Sequence, residues 1–326
     1  MPMNTASSYT VSPYQTDILA GDYQQLTLTF AADQQSPVIA TLVRKKAATA
    51  TPKAVLYIHG FLDYFFQTEM AEQFNQHGYD FYALDLHKYG RSYRSGQTFY
   101  DVRDLNEYEA EITAALEIIA AEGHDSAVLA GHSTGGLITT LYAAHHPDHP
   151  LIKALWNNSP FYDFNTSFLK KKLALPRVSA LGKYLPKLKF PSELNPWYTK
   201  SLHQDYYGEW SFDLNWKPTV YPKVFLSFIH AIYEAQKEIH AGAKLNVPAL
   251  IMHSHQSRNP RRWGTDAQNS DVILSVKDIA KYANKLQGDV TVMTIKNGLH
   301  DLVLSAVPVR AQVYQKLFAW LKDKGC

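Results

Sequence analysis

The chain has 326 residues, 46% hydrophobic and 19% charged, with 32 Lys and Arg against 30 Asp and Glu. These proportions exclude a disordered or fibrous chain and fit one large α/β domain with an insertion, or two small domains. A net charge of +2 gives no whole-chain attraction for nucleic acid, and a lone cysteine, Cys326, excludes an internal disulfide.

Residues 1–8 lack the basic and apolar regions of a secretory leader, and no run of about 18 apolar residues follows, so the expected setting is the cytoplasm. Alternating segments at 25–30 and 38–44 predict an antiparallel pair about a polar turn. From 54 onward apolar strands alternate with helices: a strand over 54–58, a helix near 69–77, a strand over 80–86 and a helix over 105–122. That helix has an apolar stripe at Leu105, Tyr108, Ile112, Leu116 and Ile119, with Asp104 and Glu107 spaced as a capping box. A buried strand over 126–130, a helix from Leu137 towards Pro147 and a strand over 152–156 follow. The alternation resumes with a strand over 248–253, a helix over 276–286, a strand over 290–295 and a closing helix over 309–322. Such regular alternation predicts a mostly parallel sheet wrapped by helices.

Residues 161–245 interrupt this pattern. They hold 17 Phe, Tyr and Trp in 85 positions, against 13% overall, together with scattered prolines. That enrichment predicts a cap roofing a pocket with aromatic surface. The expected organisation is a core built from 1–160 and 246–326, with a cap of 161–245 inserted between its parts.

Gly131-His132-Ser133-Thr134-Gly135 lies where the 126–130 strand hands over to a helix, and it fits G-x-S-x-G. The flanking glycines let two backbones pass at a sharp turn, which presents the Ser133 hydroxyl above the sheet. A helix N-terminus beside it favours a developing oxyanion. Serine is a poor nucleophile alone and needs a base and an orienting acid. His300, in the loop after the last strand, is the best placed of 14 histidines. For the acid, Asp271 precedes the apolar Val272-Ile273-Leu274, whereas the fallback Asp266 lies in polar, turn-like sequence. Oxyanion donors are expected from the N–H groups of Thr134 and Phe61, and His59 is expected to brace the Phe61 loop. Leu62, His132 and Phe161 are candidate substrate contacts.

Taken together, His59-Gly60 after a strand, Gly90-Arg91-Ser92 after Asp85, the Gly131 to Gly136 elbow and the contexts of Asp271 and His300 form a recognisable set. They resemble the α/β-hydrolases of the serine aminopeptidase S33 and monoacylglycerol lipase or lysophospholipase-like type, over roughly residues 50–160 and 245–322. The triad order Ser133, Asp271, His300 is the one that fold uses. The resemblance implies an α/β-hydrolase fold with a cap after the sixth strand, and ester hydrolysis with no cofactor. One departure is visible. The family's D-x-R-G-x-G-x-S reads here Asp85-Leu86-His87-Lys88-Tyr89-Gly90-Arg91-Ser92, so His87 and Lys88 replace an arginine and a glycine at what is expected to be a pocket-edge loop.

The expected activity is therefore a serine esterase acting on a small-molecule ester or lipid with an apolar acyl group, such as a monoacylglycerol, lysophospholipid or simple carboxylic ester. Its rivals are an S33-type aminopeptidase, an acyltransferase and, from another class, a ligand-binding or inactive scaffold of the same fold. Seven basic residues with no acid between them, from Lys170 to Lys189, could hold the cap near an anionic membrane, or form a solvated face. Arg258, Arg261 and Arg262 could pair with a substrate anion or with nearby acids. His145, His146 and His149 are interrupted by prolines and accompanied by no carboxylate cluster in sequence, so no metal is expected. Gly208-Glu209-Trp210 and Trp216-Lys217-Pro218 stand out in the cap without an assignable chemistry.

Overall fold

The computed structural model describes residues 9–33 and 37–326. The leader reading at residues 1–8 and the middle of the first predicted turn lie outside the described residues. Strands β1 (Tyr9–Val11), β2 (Gln15–Thr16), β3 (Gln24–Ala32) and β4 (Pro37–Lys45) come first. Next are β5 (Lys53–Ile58), α1 (Thr68–Gln76), β6 (Asp80–Asp85), α2 (Glu109–Ala121), β7 (Ser126–His132), α3 (Thr134–His145) and β8 (Ile152–Asn158). A long segment then carries α4 (Leu175–Tyr184), β9 (Lys189–Phe190), α5 (Trp197–Leu202), β10 (Val224–Phe225) and α6 (Leu226–Ala241). The chain closes with β11 (Ala249–Ser254), α7 (Thr265–Gln268), α8 (Val276–Ala283), β12 (Val290–Ile295) and α9 (Val307–Asp323).

One sheet runs β1-β3-β4-β6-β5-β7-β8-β11-β12, with β2 on β3. The pairs from β6 to β12 are parallel, and β3–β4 and β4–β6 are antiparallel. The mostly parallel sheet flanked by helices is the one expected. Along β5, Ala54, Leu56 and Ile58 join a core with residues of α2, α3, α6 and α8, while Val55 and Tyr57 join a second core with residues of α1 and α9. A period of two sends successive side chains to opposite faces, so a strand covered on both sides reads as continuously apolar. The stripe on the 105–122 helix faces the first core, and Leu105, Tyr108, Ile112, Leu116 and Ile119 are all buried.

Several boundaries differ from expectation for local reasons. β1 and β2, of three and two residues, are too short and exposed to carry an alternating signal. The helix expected over 105–122 opens as a 3-10 turn, Leu105–Tyr108, capped by the Asp104 and Glu107 box, before α2 begins. α8 ends at Ala283, where Asn284 turns its side-chain amide onto the carbonyl of Ala280. The composition of residues 161–245 did not announce α6, a 16-residue helix whose buried face meets α4 and α3. No described helix is long and apolar enough to cross a membrane.

Candidate active site

β7 delivers Ser133 at the head of α3 with φ 53° and ψ −116°, a sparsely populated positive-φ conformation that costs a non-glycine residue of order 1–3 kcal/mol. The glycines beside it permit close approach. A Cβ on Gly131 would lie 2.5 Å from the Gly135 carbonyl oxygen, and one on Gly135 would lie 2.3 Å from that of Ile58. Gly135→Ala is therefore expected to lower stability by about 3 kcal/mol or more through overpacking against rigid backbone, which thermal unfolding would register. An unchanged Tm would contradict the close approach.

Three residues from separate loops meet at this elbow. His300 Nε2 lies 3.0 Å from Ser133 Oγ, and His300 Nδ1 lies 2.8 Å from Asp271 Oδ2. Asp271 is fully buried, and its other oxygen accepts the backbone N–H groups of Ile273 (2.8 Å) and Leu274 (2.7 Å). The apolar segment after Asp271 thus anchors the carboxylate through its backbone as well as by burial. An ionised Asp271 fixes the proton on Nδ1 and leaves Nε2 to accept from the serine hydroxyl. Asp266 stands apart, exposed and 3.8 Å from Arg258, the nearby acid weighed for that arginine.

The loop after β5 passes against the nucleophile, where a Cβ on Gly60 would lie 3.1 Å from Ser133 Cβ. His59 braces it. Its Nδ1 donates to the Gly60 carbonyl (2.8 Å), and its Nε2 accepts from Leu86 N–H (3.1 Å). Leu62 in this loop has φ 49°. Thr134 opens α3, so its N–H has no acceptor within the helix. His132 is buried, and burial pushes its pKa down to about 4, which keeps its ring neutral beside His300 at neutral pH.

These groups border a cavity of about 780 Å³, within the range of small-molecule sites. Its lining includes Ser133, His300, Phe61, Thr134, Leu62, His132 and Phe161. The segment between β8 and β11 contributes Phe164, Leu175, Val178, Phe190, Tyr198 and Phe228. Most other aromatics of that segment pack elsewhere, as Phe212 does on Phe66.

Other sequence expectations need correction. The 85–92 loop does not border this cavity. Its departures from the family pattern find local partners instead, His87 on Glu111 and Lys88 on Asp33. Arg91 closes the loop from inside, bonded to Asp17 and Asp85. The basic run is partly compensated, since Lys171 pairs with Asp163 and Asp278 and Lys170 with Glu193. Carboxylates do reach the histidine group, because the fold brings Glu109 and Glu238 onto the two ring nitrogens of His145. Sequence reasoning missed Asp301, which is buried and accepts from Asn158 Nδ2 (2.7 Å) and Gln67 Nε2 (3.2 Å), tying the loop after His300 to β8. It also missed Asp63, whose partner is Lys217.

Sheet order, elbow and hydrogen-bonded Ser133, His300 and Asp271 together define an α/β-hydrolase. The family described as serine aminopeptidase, S33, matches residues 49–305, and the chain belongs to it. Among solved structures, the chain is similar to a soluble variant of the Saccharomyces cerevisiae monoglyceride lipase in complex with a substrate analogue. The two are 18% identical with TM-score 0.67, and 99% of each chain is covered. A monoacylglycerol lipase from Paleococcus ferrophilus is 18% identical with TM-score 0.63, over 87% of this chain and 99% of that one. A curated bifunctional esterase/perhydrolase of Acinetobacter calcoaceticus is 33% identical over 82 residues, and the match spans 25% of this chain and 27% of that protein.

Proposed function

We propose that the protein is a serine hydrolase of carboxylic esters with an apolar acyl group. The carrying observation is the continuous hydrogen-bond chain from Ser133 Oγ through His300 to Asp271, opening on the cavity. Ser133 attacks the acyl carbonyl while His300 takes the hydroxyl proton and then returns it to the leaving alcohol. Asp271 holds the imidazole tautomer and stabilises its charged form. The N–H groups of Phe61 and Thr134 receive the oxyanion, each donor being worth about 3 kcal/mol. Water, activated by the same imidazole, releases the acyl group. This reaction uses no cofactor. Residues 161–245 act as the cap, inserted between core parts 1–160 and 246–326, and Leu62, His132 and Phe161 contact the substrate. The relatives named for lipase and esterase activity support the ester reading.

An aminopeptidase needs a carboxylate for the substrate amine. The acidic residues lining the cavity, Asp63 and Glu193, are each paired with a lysine, Lys217 and Lys170, which favours the esterase. The decisive experiment treats folded protein with a fluorophosphonate probe and assays p-nitrophenyl esters of graded chain length. An adduct on Ser133 with hydrolysis is expected, and no adduct would sink the hydrolase reading.

A peripheral membrane contact is favoured by a second observation. Phe168, Leu169, Tyr184 and Leu185 are 76%, 65%, 75% and 51% exposed, interleaved with the exposed Lys172, Lys183 and Lys187. Near an anionic surface each such lysine contributes about 1 kcal/mol. Stronger sedimentation with phosphatidylglycerol than with phosphatidylcholine vesicles is expected, weakened by reversing these three lysines to Glu; equal binding to both would oppose it. The lone Cys326 suits a reducing cytoplasm, the setting we infer.

A further inference from the structure

Within the inserted segment, residues 213–217 form a tight turn in which Asp213 accepts from the N–H groups of Asn215 and Lys217. This turn lies on the loop that follows Gly60. Asp213 N–H donates to Tyr64 Oη (2.6 Å), and Trp216 stands edge-on to the Tyr64 ring at 4.9 Å. The turn presents Lys217, whose Nζ reaches Asp63 Oδ2 at 2.9 Å, with the two side chains only 4% and 1% exposed. Asp63 Oδ1 is meanwhile held by the N–H of Tyr64 (2.9 Å), so the carboxylate is locked to the backbone of its own loop. The ammonium also sits 5.3 Å from the centre of the Tyr198 ring, and that ring meets His300 edge-on at 5.5 Å.

Two oppositely charged groups taken from water gain little net stability over an apolar pair of the same shape. What a buried pair does supply is a fixed distance between the elements that carry it. Here those elements are the inserted segment and the loop bearing the Phe61 N–H, two residues before Asp63. We propose that Lys217 is a positioning residue: its buried ion pair with Asp63 holds residues 60–63 so that the Phe61 N–H meets the developing oxyanion. The inference rests on the esterase reading and deepens it, because the inserted segment then forms part of the transition-state site as well as its roof.

A donor displaced by about 1 Å costs on the order of 100-fold in rate. Lys217→Met is expected to lower kcat on p-nitrophenyl butyrate by about that factor with KM nearly unchanged. Affinity for a trifluoromethyl ketone, which mimics the tetrahedral intermediate, should fall by the same factor. Lys217→Arg should recover most of the loss. Since Lys217→Met leaves Asp63 unpaired and could unfold the protein, the double variant Asp63→Asn/Lys217→Met, which buries no lone charge, is measured beside it. It is expected to fold and to keep the low kcat. Wild-type kcat in the double variant, or a raised KM with kcat intact in Lys217→Met, overturns the proposal, as does a loss that only tracks the folded fraction. Hydrogen exchange reads positioning without turnover. Amides of residues 60–66 should exchange faster in the double variant while β5 and β7 stay protected, and unchanged exchange overturns the proposal. If the wild type hydrolyses no ester, the esterase reading fails, whereas the exchange result still decides whether Lys217 holds the loop.

Discussion

Ser133→Ala is expected to leave a folded protein whose kcat/KM on p-nitrophenyl butyrate is lower by about 10⁶-fold, or about 8 kcal/mol of transition-state stabilisation. The substitution removes one oxygen and keeps the Cβ, so the packing of the elbow between β7 and α3 is untouched. Tm should hold, because Ser133 Oγ has its hydrogen bond to His300 and the cavity before it, and no other partner among the described residues has to be replaced. The oxyanion donors proposed at the Phe61 and Thr134 N–H groups should then leave a residual acceleration over water. A rate within about 100-fold of wild type, at unchanged Tm, would remove Ser133 from the nucleophile's role.

Asp271→Asn should lower kcat by about 10⁴-fold at neutral pH. The reason lies in which oxygen does what. Oδ1 already accepts two backbone N–H groups, from Ile273 and Leu274, so an Asn must keep its carbonyl oxygen there. Its amide nitrogen then faces His300 Nδ1 as a donor, drives the ring proton to Nε2, and leaves nothing to accept from the Ser133 hydroxyl. Asp266→Asn is the matched control. Its carboxylate is 61% exposed and 3.8 Å from Arg258, so its removal should change activity and stability by no more than the ~1 kcal/mol of a surface pair. Equal losses in both variants would reject Asp271 as the orienting acid.

The contrast between these two aspartates shows what a sequence can and cannot disclose. Strand, elbow and helix around Ser133 are local, and glycine spacing records how closely the backbones pass, so that part was readable along the chain. His300 and Asp271 follow the ends of later strands, where the parallel sheet forces loops to gather on one edge, so topology made them readable too. Lys217 and Asp63 have no such rule. Asp63 looks ordinary in its own neighbourhood, nothing around Lys217 names a partner for it, and only tertiary packing brings the two to 2.9 Å. The same blindness explains Glu109 and Glu238 at His145, and Asp163 and Asp278 at Lys171, where partners come from other elements. The run Trp216-Lys217-Pro218 stands out in the sequence with no assignable chemistry, and that chemistry became legible only beside Tyr64 and Asp63.

β8 and β11 are neighbours in the sheet, with Asn158 opposite Met252, although some ninety residues of chain separate them. The scaffold therefore closes a wide excursion across two adjacent strands, and doubling the length of such an excursion adds only about 0.6 kcal/mol of closure entropy. In an engineering sense this junction is a socket that tolerates segments of many sizes. A transplanted segment could remodel the chamber freely, yet on this reading it would need its own cation against Asp63 to hold residues 60–63 before the receiving enzyme could work at full rate.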